Sequence, residues 1–225
     1  MPGWENTYSL KFTDHPTSWR LVNQTREDAE EVVFTLQGVI EAKNLPPIMD
    51  KSTIPRNKAQ FLNQSLTLNG LGTPTFDLTM AALREMYPVI CRQFPEGRVT
   101  GTFMSESNLT LSNRFFTQRS EAGQMQSVPF ERNVDPKNIL MHVLSPSLIH
   151  TAENEVQYFA RQSDLGKIFK YLNADPQIFR IGDIVEVQFS LVVYRMRGDN
   201  YVCKPMLYSI ALLEGKYGNV CCFWL

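Results

Sequence analysis

The stretch from Ile184 to Tyr194 constrains this chain more than any other. Val185, Val187, Phe189, Leu191 and Val193 fall on one side, and Glu186, Gln188, Ser190 and Tyr194 on the other. A period of two over that length is a β-strand with one buried face. Arg197-Gly198-Asp199-Asn200 follows as a turn. Val202, Met206, Tyr208, Ile210 and Leu212 then read as the apolar face of the returning strand, with Pro205 marking a bulge or an edge.

Other segments share this texture. Residues 99–104 and Leu109–Leu111 are β-branched and alternating, and Arg114–Thr117 continues the second of them. Glu155–Ala160 reads as a strand, and Val220–Leu225 as a short final one. Near the start, Tyr8, Leu10 and Phe12 alternate until Pro16.

The rest of the N-terminal half reads as helical. Thr25-Arg26-Glu27-Asp28 resembles a capping box. Ala29, Val32, Val33, Leu36, Val39 and Ile40 follow at helical spacing, opposite Glu27, Glu30, Glu31 and Gln37, which predicts a helix over 26–43 ended by Asn44 and Pro46-Pro47. A second helix is expected from an Asp77 cap through Leu78, Ala81, Met86 and Ile90, with Pro88 inside it. Residues 44–75 are punctuated by proline and glycine, with Asn57–Leu68 readable as a short helix or a strand, and Asp164–Leu172 suggests a short helical turn. The expected fold is one α+β domain over 1–225, helix-richer over 1–97 and β-rich over 98–225. Its N-terminal helices would pack on a mainly antiparallel sheet, a sandwich or a partly open barrel.

At 225 residues, 43% hydrophobic and 20% charged, the chain has the means to bury a core. A net charge of −1 gives no global basic field. Its four cysteines are too few and too unevenly placed for a disulfide scaffold. Met1-Pro2-Gly3-Trp4 has neither a positive region nor an apolar run, and no stretch is apolar enough to span a bilayer. An intracellular protein, cytoplasmic or nuclear, with no membrane partner is the expectation.

Familiar chemistries are missing from the pattern. His15, His142 and His150 share no short ligand spacing, and Cys91, Cys203, Cys221 and Cys222 contain no C-x-x-C pair, so no metal site is expected. No phosphate-binding glycine loop and no G-x-S-x-G elbow occurs, so no cofactor is expected either. An enzyme could assemble only in space, from Cys91, His142, His150, Glu153 and Glu155, and the reading leans away from one.

Binding remains. Arg180 and the hairpin residues Tyr194, Arg195, Arg197, Tyr201, Lys204 and Tyr208 interleave cations with rings. That is what a single-strand nucleic-acid groove needs, because cations meet phosphate and rings stack on bases. Such residues serve only if they form one contiguous face. The apolar end Phe223-Trp224-Leu225 is the alternative, a protein-partner or self-association surface.

Three motifs lie downstream of Asp135: His150-Thr151-Ala152-Glu153-Asn154-Glu155-Val156-Gln157-Tyr158-Phe159, the run from Phe179 to Gln188, and Ser209-Ile210-Ala211-Leu212-Leu213. This part of the chain resembles an uncharacterised family multiplied in the genomes of mushroom-forming fungi. The resemblance implies an intracellular fungal protein and carries no known activity. The combined expectation is a non-catalytic intracellular module that binds a macromolecule, nucleic acid ahead of a protein partner.

Overall fold

The computed structural model describes residues 7–25, 29–51, 54, 58–101, 103–164 and 168–215. Its strands are β1 (Tyr8–Asp14), β2 (Thr17–Asn23), β3 (Glu30–Glu31), β4 (Phe34–Asn44), β5 (Asn63–Asn69), β6 (Val99–Thr100) and β7 (Asn108–Arg114). They continue with β8 (Thr117–Gln118), β9 (Leu148–Ile149), β10 (Gln157–Asp164), β11 (Ile168–Asn173), β12 (Ile184–Arg195) and β13 (Tyr201–Glu214). The α-helices are α1 (Pro74–Arg92) and the short α2 (Arg119–Ala122) and α3 (Ile139–Val143).

Five strands close on themselves. β12 pairs antiparallel with β4, β4 with β5 and β5 with β7; β7 then runs parallel to β13, which returns antiparallel to β12. The ring β4-β5-β7-β13-β12 is a five-stranded Greek-key barrel, the architecture of the oligonucleotide- and oligosaccharide-binding fold. Leu36, Ile40, Leu66, Leu68, Leu109 and Leu111 fill it from one side, and Val185, Val187, Phe189, Leu191, Leu207 and Ile210 from the other. Each is at most 1% exposed. The sheet continues beyond the ring. β2 pairs with Val192–Tyr194 of β12, past the stretch that β4 covers, with β1 and β3 beyond it, and β10 joins β13, with β11 outermost.

This overturns the expected α+β class. The protein is mostly β, and the helix predicted over 26–43 is in its described part the strand pair β3 and β4. The cause is Gly38. Leu36, Gly38 and Ile40 alternate along β4, but the middle position has no side chain to show the period. A Cβ at Gly38 would meet the Phe76 ring at 3.2 Å, and one at Gly70 would meet it at 2.3 Å. Phe76 is the first buried residue of α1, and it supplies from the helix the volume that β4 and the end of β5 leave open. With Met80, Leu83 and Ile90 it joins the barrel's own core.

Elsewhere the differences are local. α1 starts at Pro74 and runs through Pro88 to Arg92. The region 44–75 contains β5, and the helical turn expected over 164–172 is in its described part the paired edge strand β11. Val185 to Val193 face inward as the alternation predicts. On β13 the inward residues are Cys203, Leu207 and Ile210, because Gln188 faces Ser209 while Phe189 faces Leu207. That register shift leaves Tyr208 as an extra residue, a bulge that changes which alternate residues point inward. The expected final strand, Val220–Leu225, lies outside the described residues.

The ring has a seam. β5 and β7 pair over seven residues, whereas β7 meets β13 at the single pair Met206 and Ser112. Side chains close the gap. Asn113 Nδ2 on β7 donates to the Leu207 carbonyl of β13 at 3.2 Å and to the Glu153 carbonyl at 2.9 Å. The 3-10 turn Ala152–Asn154 wedges in here. Gln64 Nε2 donates to the Asn154 carbonyl at 2.9 Å, and the Tyr158 hydroxyl donates to Gln64 Oε1 at 2.6 Å. The motif from His150 to Phe159 therefore builds the plug of the barrel.

Candidate nucleic-acid interface

The outward residues of β5 and β7 are small and polar. The register sets Asn63 beside Arg114, Ser65 beside Ser112, Thr67 beside Thr110 and Asn69 beside Asn108. The threonine hydroxyls lie 3.0 Å apart, and Asn69 Nδ2 donates to Asn108 Oδ1 at 2.8 Å. Arg114 is the one charged member of these eight. Just before Asn63, the loop joining β4 to β5 presents Phe61 with 67% of its surface exposed.

Past β7 the outward face continues onto β13 and β12. Lys204 Nζ lies 5.2 Å from the centre of the Tyr194 ring, and the Arg114 guanidinium lies 5.6 Å from it. The Tyr194 hydroxyl donates to Met206 Sδ at 2.9 Å, so the ring is laid across β13 between the two cations. Arg114 is neutralised by Glu121 at 3.0 Å. Lys204 has no carboxylate within ion-pair distance among the described residues. Burial lowers its pKa and Arg114 adds to the effect. Burial pushes the Tyr194 phenol up to about 12.

Tyr208 lies farther along the same face, in a balanced network. Arg20 donates to Glu31 at 2.9 Å, to the Tyr208 hydroxyl at 3.1 Å and to Glu153. Burial works against the Arg20 charge, but Glu153, Tyr208 and Glu31 outweigh it and raise the pKa. The Tyr208 hydroxyl donates in turn to Glu31, and burial followed by that bond raises the phenol's pKa.

The sequence-predicted residues thus divide. Tyr194, Lys204 and Tyr208 share the outward face with Arg114. Tyr201 points the other way, its ring 4.6 Å from Phe94 and 5.4 Å from Trp19. Arg195 is exposed at the end of β12 and pairs with Asp199. Arg197 is in the following turn, and its side chain lies outside the described residues. Arg180 is at the opposite end of β12, where its N–H donates to Asp183 Oδ2 at 2.7 Å. The seven do not form one contiguous face, so the interface as the sequence drew it fails, and only Tyr194, Lys204 and Tyr208, joined by Arg114, remain as candidates. Phe223, Trp224 and Leu225 lie outside the described residues. Sequence reading passed over Arg114 and Phe61. The closed ring is what gives both a place, and no local motif marks either.

The five residues considered for an assembled enzyme are also dispersed. Glu153 pairs with Arg20, His142 is exposed on α3, and Cys91 contacts Tyr87 at the end of α1. His150 and Glu155 share a cleft with Gln64, Phe115, Phe130 and Glu131. Among the described residues no three His, Cys, Asp or Glu side chains are placed to hold a metal ion.

His150 has a visible structural task in that cleft. Its ring stacks on Phe130 at 3.8 Å, and Nδ1 lies 2.8 Å from the Phe115 carbonyl. Burial lowers its pKa below the ordinary 6.5 and the bond to Phe115 only partly opposes this. Below pH about 6.5 the unfolded chain therefore takes up a proton that the folded chain refuses. Stability from this residue is complete above that pH and falls with acidification toward the folded pKa. Glu155, raised by burial and Glu131, acts in the opposite direction, so the residue's own effect is read as a difference. Urea melts of the natural chain and His150→Asn at pH 7 and pH 5 should show the natural chain losing more stability on acidification. Equal losses would contradict the assignment.

No family model matches the chain, and no curated protein matches it. Among solved structures it is similar to the crystal structure of gp2.5, a single-stranded DNA binding protein encoded by bacteriophage T7. The identity is 15%, the TM-score 0.39, and the match covers 81% of this chain and 91% of that one. Neither fold nor function follows from a likeness at this level. No helix among the described residues is long and apolar enough to cross a membrane.

Proposed function

We propose that this chain binds single-stranded nucleic acid across the outer face of β5, β7 and β13. One observation carries the reading: Arg114, on the face of the second and third barrel strands that this architecture uses for oligomeric ligands, and Lys204, on the neighbouring β13, flank the Tyr194 ring, and Lys204 has no carboxylate partner among the described residues. Barrels of this kind accept oligosaccharides as well as oligonucleotides, so the site must decide. A cation held without a counterion favours phosphate over an uncharged sugar. The adjoining Asn, Ser and Thr side chains offer donors and acceptors to bases or backbone, and the exposed Phe61 offers a stacking ring. The reading is non-catalytic binding, and an intracellular setting accords with it.

The test is fluorescence anisotropy with labelled oligothymidylate, RNA and duplex DNA at low and moderate salt. Micromolar or tighter binding to the single strands, weakening with salt and stronger than to duplex, is the expected result. No binding to any of the three at low salt would overturn the reading.

A further inference from the structure

Resting on that reading, we propose that the β10–β11 hairpin, outside the barrel ring, is a second contact that stacks unpaired bases of a bound single strand. The hairpin's orientation follows from its neighbours. Tyr158 is buried in the core, so Phe159 and Arg161 point outward, and the pairing of Arg161 with Tyr171 sets Tyr171 and Phe169 on the same outward side. Phe159 faces Ala211 across the ladder to β13, so this side continues the outward face that carries Lys204 and Tyr208.

Two rings are presented there. Phe169 is 58% exposed and Tyr171 is 47% exposed. Two residues apart on a strand, they stand about 6.6 Å from each other, which leaves room for a base on each. Both are held in place. The Arg161 guanidinium lies 4.6 Å over the Phe169 ring, and its Nη2 donates to the Leu213 carbonyl at 3.4 Å. The Tyr171 hydroxyl donates to Glu186 Oε1 at 3.1 Å, while Gln37 Nε2 holds the other oxygen of Glu186 at 2.8 Å. Rings fixed in advance lose little freedom on binding.

The two rings and the guanidinium select the occupant. On this outward side the Arg161 guanidinium backs the Phe169 ring, and the Glu186 carboxylate is already engaged by the Tyr171 hydroxyl and Gln37. A polyanion with flat, stackable bases matches an outward side of rings backed by a guanidinium better than an apolar protein surface does.

The experiment compares oligothymidylates of about 4 and about 16 nucleotides, the range of site sizes for such barrels. Phe169→Ala and Tyr171→Ala should each weaken binding of the long oligomer about tenfold and leave the short one unchanged. Phe169→Trp should restore it. Both alanine positions are exposed, and a thermal melt confirms that the variants fold. Photocrosslinking from 5-iodouracil in the long oligomer should label the peptide 168–173.

If the intact chain binds neither length, the proposed function fails and this inference with it. If it binds the long oligomer and the alanine variants bind it equally well, without crosslinks to 168–173, the inference alone fails. A dimer in sedimentation that Phe169→Ala converts to monomer would assign the hairpin to self-association and overturn it too.

Discussion

Asn154→Ala should lower the stability of this protein by about 3 kcal/mol, although it removes only a small polar group. The residue is 1% exposed and organises the plug in the seam between β7 and β13. Its Oδ1 accepts from the Thr151 N–H at 3.0 Å, and its Nδ2 donates to Thr117 Oγ1 at 3.1 Å. Alanine leaves both groups buried without a partner, at about 1–3 kcal/mol each, and the turn Ala152–Asn154 loses its reciprocal cap. The Gln64 bond to the backbone carbonyl of residue 154 then depends on a turn no longer held. A neighbouring substitution sharpens the test. Glu155→Gln, one residue along, removes a carboxylate that burial and Glu131 already disfavour, so it should stay within about 0.5 kcal/mol of the natural chain. Urea melts of both variants read the difference. Equal stability of Asn154→Ala and Glu155→Gln would show that the seam does not depend on this plug.

That contrast indicates what a sequence can disclose here. Val185 to Val193 announced their strand because nothing interrupts the alternation, and α1 announced itself because its buried residues keep helical spacing. β4 was hidden for the opposite reason. Its inward period is broken by Gly38, and the missing volume is Phe76, contributed from 38 residues along the chain. A pattern confined to one segment cannot register a partner supplied by another, and the residues left over imitated a helix. β11 was hidden because Phe169, Tyr171 and Leu172 place apolar groups on both of its sides.

The site was legible to a similar degree. Interleaved rings and cations drew attention to Tyr194, Lys204 and Tyr208, which share a face. Strand alternation alone separates Tyr201 from Lys204, three residues along the same strand. The bulge at Tyr208 could not be foreseen, since it is set by the pairing of β12 with β13. Arg114 stands in a run of Asn, Ser and Thr without aromatic neighbours on its own outward face, and only the closing of the ring brings it to Tyr194.

Lys204→Met should fold better and bind worse. The charged lysine is held where burial and the Arg114 guanidinium both disfavour it, with no carboxylate partner among the described residues. Methionine has similar length, carries no charge to desolvate, and can keep a sulfur–aromatic contact with Tyr194 in place of the cation. A gain of about 1 kcal/mol in urea melts is expected. The sign has a pH signature. Between the lowered pKa and the ordinary 10.5 the unfolded chain holds more protons than the folded one, so the natural chain gains stability as pH rises through that window. The advantage of the variant should therefore shrink as pH rises toward 10.5. Binding should move the other way. Loss of one phosphate contact should weaken single-strand affinity about tenfold and lower the slope of log affinity against log salt by about 1. Arg114→Met provides the contrast: it should weaken binding similarly but leave Glu121 without its partner, so it should bring no gain in stability. A Lys204→Met protein that is less stable and binds as before would make Lys204 a support for the Tyr194 ring and remove it from the interface. The expected opposite shifts in folding and binding are those of a site whose strain is kept for its ligand.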